Sequence, residues 1–182
     1  MQVEETKLKG CFIIIPAVFK DSRGNFFESF NKVKFEALTK ANGDFVQDNQ
    51  SSSTYGTVRG LHMQLGDSAQ AKLVRVLSGE VLDVAVDLRP DSATYGASFS
   101  IRLSAENKLQ LYIPRGFAHG FSVLSETAIF AYKCDNYYDK AAEAGIRYDD
   151  ATLNIDWGVP AAARQLSAKD LALPFLKQNK QI

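Results

Sequence analysis

KLVRVLSGEVLDVAVDLR, from Lys72 to Arg89, is the stretch on which the fold turns. In its second half Leu82, Val84, Val86 and Leu88 fall on one face of an extended chain, and Val81, Asp83, Ala85 and Asp87 on the other. That period of two is the mark of a β-strand. Ahead of it, Lys72, Val74 and Val76 share a face, and Ser78-Gly79 breaks the two runs, so the pair reads as a β-hairpin. Working outward, similar short runs recur at CFIII, NFFESF, FVQDNQS, VRGLHMQ, ASFSIRL, LQLYIP, GFSVL and AIFAYK, with turn residues such as Asp21-Ser22-Arg23-Gly24 and Arg89-Pro90-Asp91 between them. Only two segments read as helix. Asn31 can cap KVKFEALTKAN, and Ser167 can cap AKDLALPFL until Pro174 interrupts it. Many short strands with few helices mean an all-β sandwich or barrel.

The chain has 182 residues, enough for one domain with a real core, so residues 1–182 are expected to form a single unit. Twenty-one basic residues balance 21 acidic ones. Overall charge therefore gives no support to a nucleic-acid or anionic-membrane partner, although a local cluster of Arg and Lys still suits a small anion. Cys11 and Cys134 are the only cysteines, which is neither a disulfide framework nor a zinc motif and fits a reducing cytoplasm. MQVEETKLKG lacks the apolar core of a signal peptide, and no apolar run is long enough to span a membrane.

The chemistry gathers around the only two histidines. His62 lies in VRGLHMQ, where period two puts Gly60, His62 and Gln64 on one face and Arg59, Leu61 and Met63 on the other. His119 lies in IPRGFAHGF and shares a face with Phe121 and Val123. Tyr132 shares a face with Phe130 and Cys134. A barrel interior lined by His62, Lys72, His119 and Tyr132 follows if these faces meet. Singly, each has a plain structural reading: a hydrogen-bonded core histidine, a packed tyrosine, a lysine solvated at its tip. PRGFAH resembles the P-x-G-x-x-H half of the cupin metal motif, and His62-Met63-Gln64 its H-x-H half with glutamine as the second ligand. Lys72, with six residues between it and the turn glycine Gly79, stands where the cupin carboxylate would be. An ammonium repels a divalent cation, so no metal and no cofactor are expected, and a metal-dependent cupin oxygenase is disfavoured. Proton transfer suits the set better.

Almost end to end, from FIIIPAVFKDSRGNFFESFN through AQAKLVRVLSGEVLDVAVDLR and IPRGFAHGF to LSAKD, the chain is similar to the dTDP-4-dehydrorhamnose 3,5-epimerase family. The resemblance implies a cupin-like jelly-roll barrel and a homodimer that shares N-terminal strands. It implies epimerisation of a dTDP-4-keto-6-deoxyglucose at the two carbons flanking its ketone. In that reading His62 is the base, Asp170 orients it, Tyr132 is the acid on the opposite face, Lys72 stabilises the enolate oxygen and His119 helps hold the sugar. Arg23, Phe26, Glu28, Gln47, Asn49, Arg59, Glu143 and Lys169 are the implied substrate contacts, with Tyr138 stacking on thymine. Met63, Ala71 and Gln50 depart from the family pattern. They leave room for a 3-epimerase acting at one centre on a related dTDP-4-ketosugar. A non-catalytic nucleotide-sugar-binding cupin is the reading from another class, and the intact His62, Lys72, Tyr132 and Asp170 argue against it.

Overall fold

The computed structural model of the chain describes residues 1–179. Its strands, in chain order, are β1 (Gln2–Glu5), β2 (Phe12–Ile15), β3 (Val18–Asp21), β4 (Gly24–Phe27), β5 (Gln47–Thr54), β6 (Val58–Gln64), β7 (Lys72–Ser78), β8 (Glu80–Asp87), β9 (Ser98–Ser104), β10 (Gln110–Ile113), β11 (Phe117–Val123), β12 (Thr127–Cys134) and β13 (Glu143–Gly145). Two antiparallel sheets face each other, one ordered β1-β2-β10-β7-β12-β5 and the other β13-β6-β11-β8-β9. The result is the all-β barrel expected from the strand pattern, in the jelly-roll form that the family resemblance implies. β3 and β4 form a separate two-stranded arm.

The opening stretch corrects the hairpin reading. β7 pairs with β10 and β12, while β8 pairs with β11 and β9. Gly79 is therefore a corner at which the chain leaves one sheet for the other. Its φ is 77°, and a Cβ there would lie 2.1 Å from the Thr127 carbonyl oxygen, so only glycine can make the corner. Both faces of β8 are then buried. Val81 and Ala85 join Val74, Leu111, Phe117 and Phe130 in the core between the sheets. Val84, Val86 and Leu88 pack outward against Ile146, Leu153 and Trp157 of the C-terminal segment. All seven residues of β11 are buried for the same reason.

The outer face of the six-stranded sheet is partly covered by α1 (Lys32–Thr39), whose Phe35 packs on Ile14, Leu73 and Tyr112. The Asn31 side chain caps it as anticipated, accepting from the Lys34 N–H at 3.1 Å. The second helix is shorter than its sequence suggests: α2 spans only Ala168–Leu171, with Ser167 accepting from the Asp170 N–H at 3.1 Å. Among the described residues no helix is long and apolar enough to cross a membrane.

Candidate active site

β6 and β11 run side by side in the five-stranded sheet, with His62 directly across from His119. Gly60 and Gly120 permit the approach. A Cβ on Gly60 would lie 2.5 Å from the Gly120 Cα, and one on Gly120 would lie 2.6 Å from the Arg59 carbonyl oxygen. The ladder shifts register at this point, between His119 and Phe121, and Gly60 has φ 124°. The irregularity moves a side chain that period two had misplaced: Arg59, expected opposite His62, lines the same cleft. Its Nε donates to the Ser53 hydroxyl at 3.1 Å.

The cleft is about 260 Å³ and opens between the two sheets. His62 and His119 reach it from the five-stranded sheet, Lys72 and Tyr132 from the six-stranded one, so the four residues grouped from the sequence do meet. His62 is partly open, and its Nε2 lies 2.5 Å from Oδ1 of the buried Asp170. A carboxylate at that distance accepts the Nε2 proton, which leaves Nδ1 as the basic nitrogen. Burial alone would raise the Asp170 pKa, but the hydrogen bond and charge of His62 and the nearby Ser167 hydroxyl bring it below the ordinary value.

His119 is buried, and its Nε2 lies 2.9 Å from Oδ2 of Asp83, which is fully enclosed. Burial lowers the His119 pKa, and Asp83 only partly restores it. The ring is therefore neutral at pH 7 and donates Nε2–H to the carboxylate. Asp83 Oδ1 is the one buried side-chain polar atom without a partner among the described residues. Lys72 is desolvated, which lowers its pKa below the usual lysine value, and neighbouring Cys134, Asp83 and Glu143 only partly offset this. Its Nζ sits 5.9 Å from the centre of the Tyr132 ring. Burial raises the phenol pKa of Tyr132, so the hydroxyl keeps its proton at neutral pH.

The remaining predicted contacts divide into two groups. Asn49 lines the cleft. Gln47 joins it to the aromatic residue expected to stack: the Gln47 side chain donates to Asn49 at 3.1 Å and accepts from the Tyr138 N–H at 3.0 Å. Tyr138 is half exposed. Glu143 and Lys169 form an ion pair beside His62, around a second recess of about 50 Å³. Arg23, Phe26 and Glu28 do not line this chain's cleft. Arg23 binds Asp21 in its own turn, Phe26 is 71% exposed on the arm, and Glu28 is taken by Lys34 and Asn31.

Gln64, read as a vestigial ligand, is instead a structural clamp. Its amide donates to the Ser68 and Tyr137 carbonyls at 3.3 Å and accepts from the Asp139 N–H at 2.7 Å. Among the described residues no three His, Cys, Asp or Glu side chains are placed to hold a metal. Met63 and Ala71 lie in the two outer apolar clusters, away from the cleft, and Gln50 stands at its edge. Asp83, Phe121 and Phe130 belong to the site and were not singled out from sequence. The available signal was an acidic residue alternating with Val81 and Ala85 on a strand face that turns inward.

The model of the dTDP-4-dehydrorhamnose 3,5-epimerase family matches residues 5–178. The chain is 50% identical to the dTDP-4-dehydrorhamnose 3,5-epimerase of Salmonella typhimurium, over 98% of this chain and 97% of that protein. Its structure superposes on the crystal structure of the dTDP-4-dehydrorhamnose 3,5-epimerase from Elizabethkingia anophelis with a TM-score of 0.96 at 56% identity, covering 100% of this chain and 99% of that one. A dTDP-6-deoxy-D-glucose-3,5-epimerase from Legionella pneumophila, crystallised in complex with dTDP-4-keto-L-rhamnose, matches with a TM-score of 0.93 at 47% identity over 97% of this chain and 93% of that chain.

Proposed function

Because the chain belongs to the dTDP-4-dehydrorhamnose 3,5-epimerase family, we infer from its own geometry which residues carry the family's reaction. The protein is an isomerase. It epimerises dTDP-4-dehydro-6-deoxy-D-glucose at C3 and C5, giving dTDP-4-dehydro-L-rhamnose.

A C–H beside a ketone is acidic because the carbanion delocalises onto oxygen as an enolate. Inversion then needs a base on one face of the ring and an acid on the other. The observation that carries the residue roles is that His62 and Tyr132 enter one cleft from opposite sheets. A sugar ring lying between the sheets presents one face to each. His62 Nδ1 takes the proton, and Asp170 behind Nε2 stabilises the imidazolium that forms. The charge that develops on the C4 oxygen is met by the Lys72 ammonium, which the cleft holds away from water, where it acts more strongly. Neutral His119 supports the sugar beside it. Tyr132, still protonated, delivers a proton to the far face, and the carbon is inverted.

Asn49, Gln47, Arg59, Glu143 and Lys169 bind the rest of the dTDP-sugar, and Tyr138 stacks on the thymine. Arg23, Phe26 and Glu28 serve the cleft of a second copy, with the β3–β4 arm crossing over in a homodimer; their distance from their own cleft and the exposure of Phe19 and Phe26 support this. Of the expected unit 1–182, residues 1–179 act as one cupin-like domain and the last three lie outside the described residues. The two buried free thiols suit the cytoplasm. The test is proton NMR of the ketosugar with the enzyme in heavy water. Deuterium is expected at both C3 and C5, whereas deuterium at C3 alone marks a single-centre epimerase.

A further inference from the structure

The cleft has one apolar wall. Phe121 on β11 and Phe130 on β12 stack with ring centroids 4.3 Å apart and planes 19° from parallel. Their strands belong to opposite sheets, so the stacked pair bridges the two walls. Both rings line the cleft, while Asn49, Arg59, His62, Lys72 and Tyr132 make the rest of it polar. His119 lies over Phe130 with centroids 5.9 Å apart, but its Nε2 is already bonded to Asp83.

A 4-keto-6-deoxyhexose carries an exocyclic oxygen at every ring carbon except C5, whose exocyclic substituent is the C6 methyl. That methyl is the sugar's one apolar group, and the phenylalanine pair is the cleft's one apolar surface. We propose that Phe121 and Phe130 seat the C6 methyl and select 6-deoxy sugars over their 6-hydroxy counterparts. The placement agrees with the chemistry. Tyr132 packs on Phe130 with centroids 6.1 Å apart, so a methyl against the pair sets C5, one of the two reacting carbons, beside the acid. A hydroxyl at C6 would be stripped of water against two rings that offer no hydrogen-bond partner. The enzyme would thereby ignore the 6-hydroxy nucleotide sugars from which a dehydratase must make its substrate.

This assignment rests on the dTDP-sugar reading, and calorimetry separates the two. dTDP-6-deoxyglucose, dTDP-glucose and dTDP-xylose lack the 4-ketone and are not turned over. The wild type is expected to bind the 6-deoxy compound about 10–100-fold more tightly than dTDP-glucose, and roughly 4-fold more tightly than dTDP-xylose, which lacks the methyl. Phe121→Leu keeps an apolar wall and should keep both preferences. Phe121→Asn offers the 6-hydroxyl a partner and should shrink the preference over dTDP-glucose at least about 5-fold. Each preference is a ratio measured on one preparation, so partial loss of folded protein cancels. Equal affinity of the wild type for dTDP-glucose and dTDP-6-deoxyglucose, or an undiminished ratio in Phe121→Asn, overturns the assignment. Failure of the wild type to bind any of the three overturns the dTDP-sugar reading and the assignment with it.

Discussion

His62 offers Nδ1 to the sugar only because Asp170 holds Nε2. His62→Asn leaves a side chain that can donate and accept hydrogen bonds but cannot carry the proton. A positioned general base supplies roughly 10²–10⁴-fold, so kcat should fall at least about 100-fold while calorimetric affinity for dTDP survives. Near-normal turnover would make the imidazole a packing group. Tyr132→Phe tests the other face. The phenylalanine keeps the contact with Phe130, and His62 can still form the enolate on Lys72. The variant should take up deuterium from heavy water while its inverted product, read by a coupled reductase, drops by about 100-fold; wild-type inversion in this variant would remove Tyr132 from the acid's role. His62, Lys72 and Tyr132 were legible in the sequence because period two groups them on faces that can meet, whereas Asp170 was legible only through the family resemblance. Asp83 was not. Its meaning depends on which face of β8 turns inward, and strand alternation leaves that choice open when both faces end up covered.

At the scale of the element, the cleft depends on how closely β6 and β11 lie. Gly120→Ala sets a methyl 2.6 Å from the Arg59 carbonyl oxygen and 3.2 Å from the Gly60 Cα. Relieving that overlap separates the strands, at a cost of about 1–3 kcal/mol. Denaturant unfolding should show the loss, and activity per folded molecule should fall as well, because His62 and His119 sit on those strands. A variant with full activity would mean the strands can part without moving the histidines. The far end of β8 carries a separate staple. Asp87 is fully buried and accepts from Arg89, Ser92 and Thr94. Burial would raise its pKa, but those donors hold it well below the ordinary carboxylate value of 3.8. A carboxyl whose folded pKa is depressed contributes stability above its unfolded pKa and loses it as pH falls through the folded one. Asp87→Asn should therefore cost about 2–3 kcal/mol at pH 7, somewhat less than a fully buried pair because Arg89 reaches solvent. The gap from wild type should narrow only below about pH 4. A gap that closed between pH 8 and 6 would assign it to some other group. The misread hairpin also belongs to this scale. A glycine between two alternating runs signals a reversal, and its neighbours in sequence do not say whether the second run returns beside the first or crosses to the facing sheet.

For the whole molecule, the separation between cleft and arm makes a test of assembly. If each site combines the cleft of one subunit with the arm of the other, His62→Asn and Arg23→Ala spoil different halves. Mixed by unfolding and refolding together, two nearly inactive proteins form heterodimers in which one of the two sites is intact. Random pairing restores roughly a quarter of wild-type activity. Recovery of none would place arm and cleft in the same functional subunit, and sedimentation measures the dimer directly. The sequence shows the arm as a turn between short runs. In the proposed dimer its exposed Phe26 meets another chain, and alternation within this one is silent about that.

Asp170 reaches His62 from α2, more than a hundred residues further along the chain. On the ribosome, β6 through β12 are therefore complete before the partner of the histidine has been made. The base can be oriented only once the segment capped by Ser167 is present beside β6. A nascent or prematurely ended chain that stops at Leu166 would own the cleft and its Lys72, yet leave the imidazole untethered. Losing that segment removes both the Asp170 that orients the base and the Lys169 paired with Glu143, so one short helix serves catalysis and binding together.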